Sequence, residues 1–318
     1  MQFEPLNIPL QAINDAVTKN HGIRLFILRT DLNHPQISGN KLFKLKYNLL
    51  EAKKNGIKTL LTFGGAFSNH IAATAAAGKE YGFKTIGIIR GEEYPELNPT
   101  LQFALECGME LHYVTRTLYR NKKELYDYVN RQFSEENFYL IPEGGSNALG
   151  VLGCKEILQY INIDFNHVCC ACGTGATMAG IVLALKNNQK AIGFQILKAE
   201  GYIKNEVTKW SDFFEDDAPD AGNKESDKEM QEIISEKKWE INENYHFNGY
   251  AKVQPELIEF INCFEENNNV PLDFIYNGKM MIGIYDLIGK GFFKRGETIV
   301  AIHTGGLQGN AGLKFLSH

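Results

Sequence analysis

No stretch of this chain clusters lysine and arginine with interleaved aromatics, and acidic residues outnumber basic ones, 38 to 33, for a net charge of -5. Nucleic acid and anionic membranes are therefore poor candidates for its main partner. The opening residues, MQFEPLNIPLQ, lack the basic region and apolar core of a secretory signal, so a cytoplasmic protein is expected. Long hydrophobic runs are scarce too. One uncharged run, VCCACGTGATMAGIVLAL over 168–185, has the length of a membrane span. It contains three glycines and begins with β-favouring residues, so it reads as strand, turn and buried helix. Neither His-x-x-x-His nor His-Glu-x-x-His accompanies the six cysteines, which leaves zinc ligation little support. Cys169, Cys170 and Cys172 fall in one apolar strand, where a thiol behaves as a small hydrophobe. Reduced, buried thiols are the expectation.

What is present is a set of short apolar runs. Four end in glycine: TLLTFGG (59–65), FYLIPEGG (138–145), VCCACGTG (168–175) and TIVAIHTGG (298–306). Three more, IRLFILR (23–29), KTIGIIR (84–90) and AIGFQIL (191–197), also read as strands. Helical stretches are expected over 68–81, 100–107, 122–135, 150–160 and 176–187. Strands alternating with helices define an α/β protein with mostly parallel sheets, and 318 residues suit two domains. Ligands of such sheets bind at the carboxyl ends of the strands, where the glycine pairs stand. The polar segment 201–245 reads as a solvated charged face, with DDAPDAG (216–222) as a surface loop.

Four motifs carry chemistry. In SGNKLFKLKYN, Leu42, Leu45 and Leu49 form a buried helical stripe, with Lys41 and Lys44 beside it one turn apart. Snorkelling lysines would explain the pair without function. A desolvated amine beside a second cation would be nucleophilic. GTGATMAGI, from Gly173 on, follows a strand and opens a helix. Its backbone N–H groups with Thr174 and Thr177 could hold a phosphate. A dinucleotide fingerprint would need glycine where Met178 stands, although Glu200 lies in rough position for a ribose. In GGAFSNH, Ser68, Asn69 and His70 open a helix, where Ser or Asn commonly serves only as a cap. HTGG places Thr304 at a strand end, and Tyr276 precedes another turn into a helix. A buried lysine, a polar loop, a phosphate loop and a strand-end threonine together are what pyridoxal phosphate requires.

GNKLFKLKY, GGAFSNH, GTGATMAG, YNGKMMIGIYDLI and HTGG, in this order over about residues 22–310, resemble the signatures of the 1-aminocyclopropane-1-carboxylate deaminase and D-cysteine desulfhydrase family. The resemblance implies the tryptophan-synthase-β type of fold, PLP-dependent fold type II, with two three-layer α/β/α domains. A smaller domain, 48–150, would be inserted in a larger one made of 1–47 and 151–318, and a homodimer is implied. Lys41 would be the Schiff-base lysine and Lys44 a phosphate ligand. Asn69 would meet the cofactor's 3-oxygen, while Ser68, Asn69 and His70 bind the substrate. Gly173, Thr174, Gly175, Ala176 and Thr177 would form the phosphate cup. Tyr250 and Tyr276 would join Lys41 and Ser68 as catalytic residues, with Asn277 and Thr304 toward the pyridine ring.

Four positions depart from the family pattern. Phe43 replaces an Arg, Phe67 replaces a Gln, and GYAKV replaces a GYGVP-like segment. Asn277 stands where deaminases carry Glu and desulfhydrases Thr. A neutral residue there weakens the electron sink. The implied reaction is therefore β-elimination from a small amino acid such as D-cysteine, giving pyruvate, ammonia and sulfide. Ring opening of the cyclopropane substrate, a non-catalytic PLP-binding protein and a nicotinamide-dependent oxidoreductase are the alternatives.

Overall fold

The computed structural model describes residues 5–93, 95–186, 188–216 and 238–312. Ten strands among them form two sheets. The first part of the chain gives β1 (Leu10–Ile13), α1 (Ala16–His21), β2 (Arg24–Leu28) and α2 (Asn40–Lys54). The middle gives β3 (Thr59–Gly65), α3 (Asn69–Tyr81), β4 (Lys84–Arg90), α4 (Pro99–Glu106), β5 (Met109–Val114), α5 (Arg116–Arg120), α6 (Lys122–Gln132) and β6 (Phe138–Ile141). The rest gives α7 (Ala148–Lys155), β7 (His167–Cys172), α8 (Ala176–Val182), β8 (Lys190–Gln195), α9 (Tyr202–Asp216), β9 (Trp239–Asn242), α10 (Pro255–Asn268), α11 (Asn277–Gly289) and β10 (Thr298–Ile302).

The larger sheet has the order β1-β2-β10-β7-β8-β9, and only the β1–β2 pair is antiparallel. The smaller has the order β5-β4-β3-β6 and is parallel throughout. Parallel strands need cover on both faces, and the side-chain alternation supplies two apolar surfaces. Cys169, Ala171, Ile192, Phe194, Ile299 and Ala301 enter one core with α10 and α11. Val168, Cys170, Cys172, Val300 and Ile302 enter the opposite core with α7 and α8. Cys169 and Cys172 have the C-x-x-C spacing, but on a strand an odd separation sends them to opposite faces of the sheet.

Helix α2 joins the two halves. Phe43, near its start, packs in the core under β7, while Leu45, Leu49 and Ala52 pack with Leu60 of β3 and with Ala73 and Ala76 of α3, in the core of the smaller sheet. A reciprocal amide pair between Asn48 and Asn147 fixes α2 to the start of α7, at 2.6 and 3.2 Å.

Three expectations change. Part of the polar segment 201–245 is the amphipathic helix α9, which buries Ile203 and Val207 and is not a wholly solvated face. Within DDAPDAG, only Asp216 is described, as the last residue of α9, and 217–222 lie outside the described residues. Helix α8 stops at Val182 and not at 187, although the apolar run continues; Leu183, its C-cap, and Leu185 are buried beyond the helix end. Among the described residues no helix is long and apolar enough to cross a membrane.

Candidate active site

The carboxyl ends of β3, β7 and β10 converge on a cavity of about 290 Å³. It is lined by Lys41, Lys44, Ser68, Asn69, His70, Gly173, Thr174, Gly175, Thr177, Tyr250, Tyr276 and Thr304, all singled out in the sequence. Ala176 and Asn277 are buried and do not line it. Glu200 is exposed and away from it.

Lys41 sits in the first turn of α2. Gly39, just before, has φ +72°, and a Cβ there would lie 2.1 Å from the Thr304 carbonyl oxygen. Only glycine lets the helix start this close to the end of β10. Asn40 then bridges two groups. Its Nδ2 donates to Thr177 Oγ1 at 2.8 Å, and its Oδ1 accepts from Lys41 Nζ at 2.7 Å. Lys41 is half-buried and lines the cavity, and its pKa is lowered to about 7. Desolvation is the larger cause and the Lys44 charge the second. Lys44 is buried and donates to the Gly144 carbonyl at 2.9 Å and to Thr174 Oγ1 at 3.3 Å. Burial lowers its pKa too.

Ser68 caps α3, its Oγ accepting from His70 N and Ile71 N at 3.3 Å. Asn69 Oδ1 accepts from Gln308 Nε2 at 2.8 Å. The tautomer of His70 follows from its partner. Thr62 Oγ1 gives its one proton to the Ile141 carbonyl at 2.8 Å, so it must accept from His70 Nε2, also at 2.8 Å. Nδ1 is then an acceptor, buried and without a partner among the described residues. Burial, with Lys41 and Lys44 adding, holds the imidazole pKa well below its ordinary value, so the ring is neutral.

Tyr250 and Tyr276 meet edge to face, with ring centroids 6.1 Å apart. Burial raises both phenol pKa values, so both hydroxyls stay protonated. Asn277 stands behind the wall. Its Oδ1 accepts from the Thr304 N–H at 2.9 Å and Oγ1 at 3.3 Å, and its Nδ2 donates to Asp273 Oδ2 at 2.5 Å and the Gly305 carbonyl at 2.8 Å. Of the two residues expected toward the pyridine ring, Thr304 lines the cavity and Asn277 holds it from behind.

Sequence reasoning missed several neighbours. Arg90, Glu143 and Tyr202 line the cavity. Asp273 accepts from the backbone N–H groups of Ile275, Tyr276 and Asn277 and so fixes the start of α11. Lys279, fully buried, donates to the carbonyls of His246 and Gly249 at 3.0 and 2.8 Å, holding the loop that carries Tyr250. Asp273 immediately precedes the turn that leads into α11, and an Asp opening such a run is a capping signal that could have disclosed it.

Two amines of lowered pKa, a Gly-Thr-Gly turn and a polar helix start on one cavity define a protein built around an aldehyde cofactor bearing a phosphate. The chain belongs to the pyridoxal-phosphate dependent enzymes, whose family model matches residues 4–305. Within that class it falls in the 1-aminocyclopropane-1-carboxylate deaminase and D-cysteine desulfhydrase family. It is 31% identical over 95% of its length to a Thermotoga maritima protein named "Putative 1-aminocyclopropane-1-carboxylate deaminase", covering 94% of that chain. It is 30% identical over 91% of its length to the bifunctional mitochondrial D-cysteine desulfhydrase/1-aminocyclopropane-1-carboxylate deaminase of Arabidopsis thaliana, covering 74% of it. A solved ACC deaminase homologue superposes with TM-score 0.78 at 26% identity, covering 100% of this chain and 95% of that one. The cofactor is pyridoxal phosphate, and the dinucleotide reading of GTGATMAG gives way to it.

The cavity suits that cofactor. Lys44 and the Thr174 and Thr177 hydroxyls offer donors around the turn at 173–177. Burial also leaves an amine, Lys41, that is half neutral at about pH 7.

Proposed function

We propose that the protein is a lyase that cleaves a small amino acid by β-elimination, D-cysteine desulfhydrase-like, releasing pyruvate, ammonia and sulfide from D-cysteine. The observation that carries this reading is the Lys41 amine, its pKa lowered to about 7 beside Lys44, in the cavity that Ser68, Asn69 and His70 also line. When bound, pyridoxal phosphate withdraws electrons from the amino acid's Cα and weakens the bonds there. The chain's own residues do the rest. Lys44, Thr174 and Thr177 hold the phosphate. Lys41 carries the cofactor at rest and, as an amine largely neutral above pH 7, takes the α-proton of the substrate. Ser68 and Asn69 orient the carboxylate. His70 stays neutral, so it presents an acceptor and no positive charge. Tyr250 and Tyr276, both protonated, can deliver a proton to a departing thiolate.

Elimination is preferred to cyclopropane opening because the wall at Thr304 is neutral. Thr304 is backed by Asn277, whose side chain is spent on Asp273, Thr304 and Gly305. No carboxylate from position 277 reaches the ring to hold its nitrogen protonated.

Pyruvate release from D-cysteine tests the reading. The loaded protein should turn over, and Lys41→Ala should lose activity by a factor of about 10³ or more. Full activity in Lys41→Ala, or bound cofactor with no turnover of any D- or L-amino acid, contradicts it; the second result points to a carrier.

A further inference from the structure

A second chamber of about 930 Å³ adjoins the catalytic cavity. Gly65, Arg90 and Tyr250 line both. Its apolar lining includes Phe67, Ile89, Leu97 and Leu101. Phe67 is the residue before Ser68, so the chamber begins one position from the loop assigned to the substrate's carboxylate.

Three arginines line this space. Arg90 ends β4, and Arg116 and Arg120 lie on α5. Exposed arginines on a helix are commonly only solvated. These three come from two separate elements and line one chamber together with its apolar residues. No ion pair joins any of them to a carboxylate among the described residues, and Arg90 instead lies over the Tyr119 ring at 5.7 Å. Glu92 and Glu96 also line the chamber, so cations outnumber anions there, three to two. Glu143, in the catalytic cavity, is paired with Lys122 at 3.1 Å and leaves Arg90 unneutralised.

We infer that the chamber receives the substrate's side chain, and that this side chain has an apolar stem ending in an anionic group. The inference rests on the lyase reading. The stem would lie on Phe67, Leu97 and Leu101. The anion would accept from Arg116 and Arg120, with Arg90 at the neck. A cysteine S-conjugate with a terminal carboxylate has this form. In its elimination the Cβ–S bond breaks, the α-proton ends on the departing sulfur, and water replaces the amine. The products are a thiol, pyruvate and ammonia, with no oxidant or reductant required.

The test compares both enantiomers of S-(2-carboxyethyl)cysteine with S-(2-carbamoylethyl)cysteine, which has the same shape without the charge. The acid should be preferred by about tenfold in kcat/KM, the order of one charge-assisted hydrogen bond. In the Arg116→Gln/Arg120→Gln double variant that preference should collapse toward one. Equal kcat/KM for acid and amide, or a preference that survives the double substitution, overturns the inference. Calorimetric dissociation constants for the same pair, with the Lys41→Ala protein, read the charge preference without turnover. Tighter binding of the acid there with no pyruvate from the wild type would sink the lyase reading alone. Equal affinities would sink the chamber.

Discussion

An amine that must add to an aldehyde at neutral pH has to lose its proton there. Lys41 does so because burial strips its hydration and Lys44 stands nearby as a like charge. The sign is definite: below about pH 7 the amine is protonated and inert, and above it the neutral form dominates. The rate at which the cofactor-free protein takes up pyridoxal phosphate should therefore rise with pH through a midpoint near 7. An ordinary lysine would place the midpoint more than three units higher. Lys44→Gln should move the midpoint upward, because it removes the second cause. The rise in visible absorbance after mixing, followed from pH 5 to 9, measures both. At this scale much was legible in the sequence. Lys41, Ser68, Asn69 and Thr304 stand in short motifs whose chemistry is local. Gln308 and Lys279 were not, because their roles come from partners far along the chain, whereas Asp273 carried a local capping signal that went unread. Gln308 meets Asn69 across 239 positions, and Lys279 meets Gly249 across 30. Asn277 was legible as a departure but not as a residue facing away from the cavity.

At the scale of elements, the start of α2 and the loop before α10 position the chemistry. Gly39→Ala puts a methyl 2.1 Å from the Thr304 carbonyl, at a φ that side chains avoid. The helix start must shift, and the loss should be about 1–3 kcal/mol in chemical denaturation, with weaker cofactor retention. The loop before α10 holds Phe247, Asn248 and Ala251 at positive φ. Lys279 secures it from α11, and burial lowers the pKa of this amine to about 8. Lys279→Met leaves two carbonyls without their donor, a cost of about 1–3 kcal/mol each where the site stays buried. Hydrogen exchange over 246–251 should quicken and kcat should fall through Tyr250. Unchanged exchange there would show that the lysine holds nothing. The strands with continuous apolar runs, β3, β4, β7 and β10, were readable because both faces of a parallel sheet are covered. The strands β1, β5 and β9 were not. They lie at sheet edges, and MELHYV and WEIN mix charge with apolar residues. Composition hid α9 because charged residues on its outer face outweigh the buried Ile203 and Val207.

At the scale of the whole molecule, the two sheets divide the chain cleanly. Strands β3 to β6 all fall between 59 and 141, while the larger sheet takes strands from 10–28 and 167–302. We propose that 48–150 is the smaller inserted domain and that the boundary runs through α2, whose two ends serve different cores. Such an insertion places Lys41 on one domain and Ser68, Asn69 and His70 on the other, so the site is completed only when both are folded. If Lys41 carries pyridoxal phosphate, borohydride reduction of the loaded protein followed by peptide mapping should find it there. A visible absorbance band that disappears on reduction and a stable pyridoxyl label on Lys41 are expected. A label on Lys44 or any other lysine, or a protein that stays colourless when given pyridoxal phosphate, would overturn the assignment of Lys41.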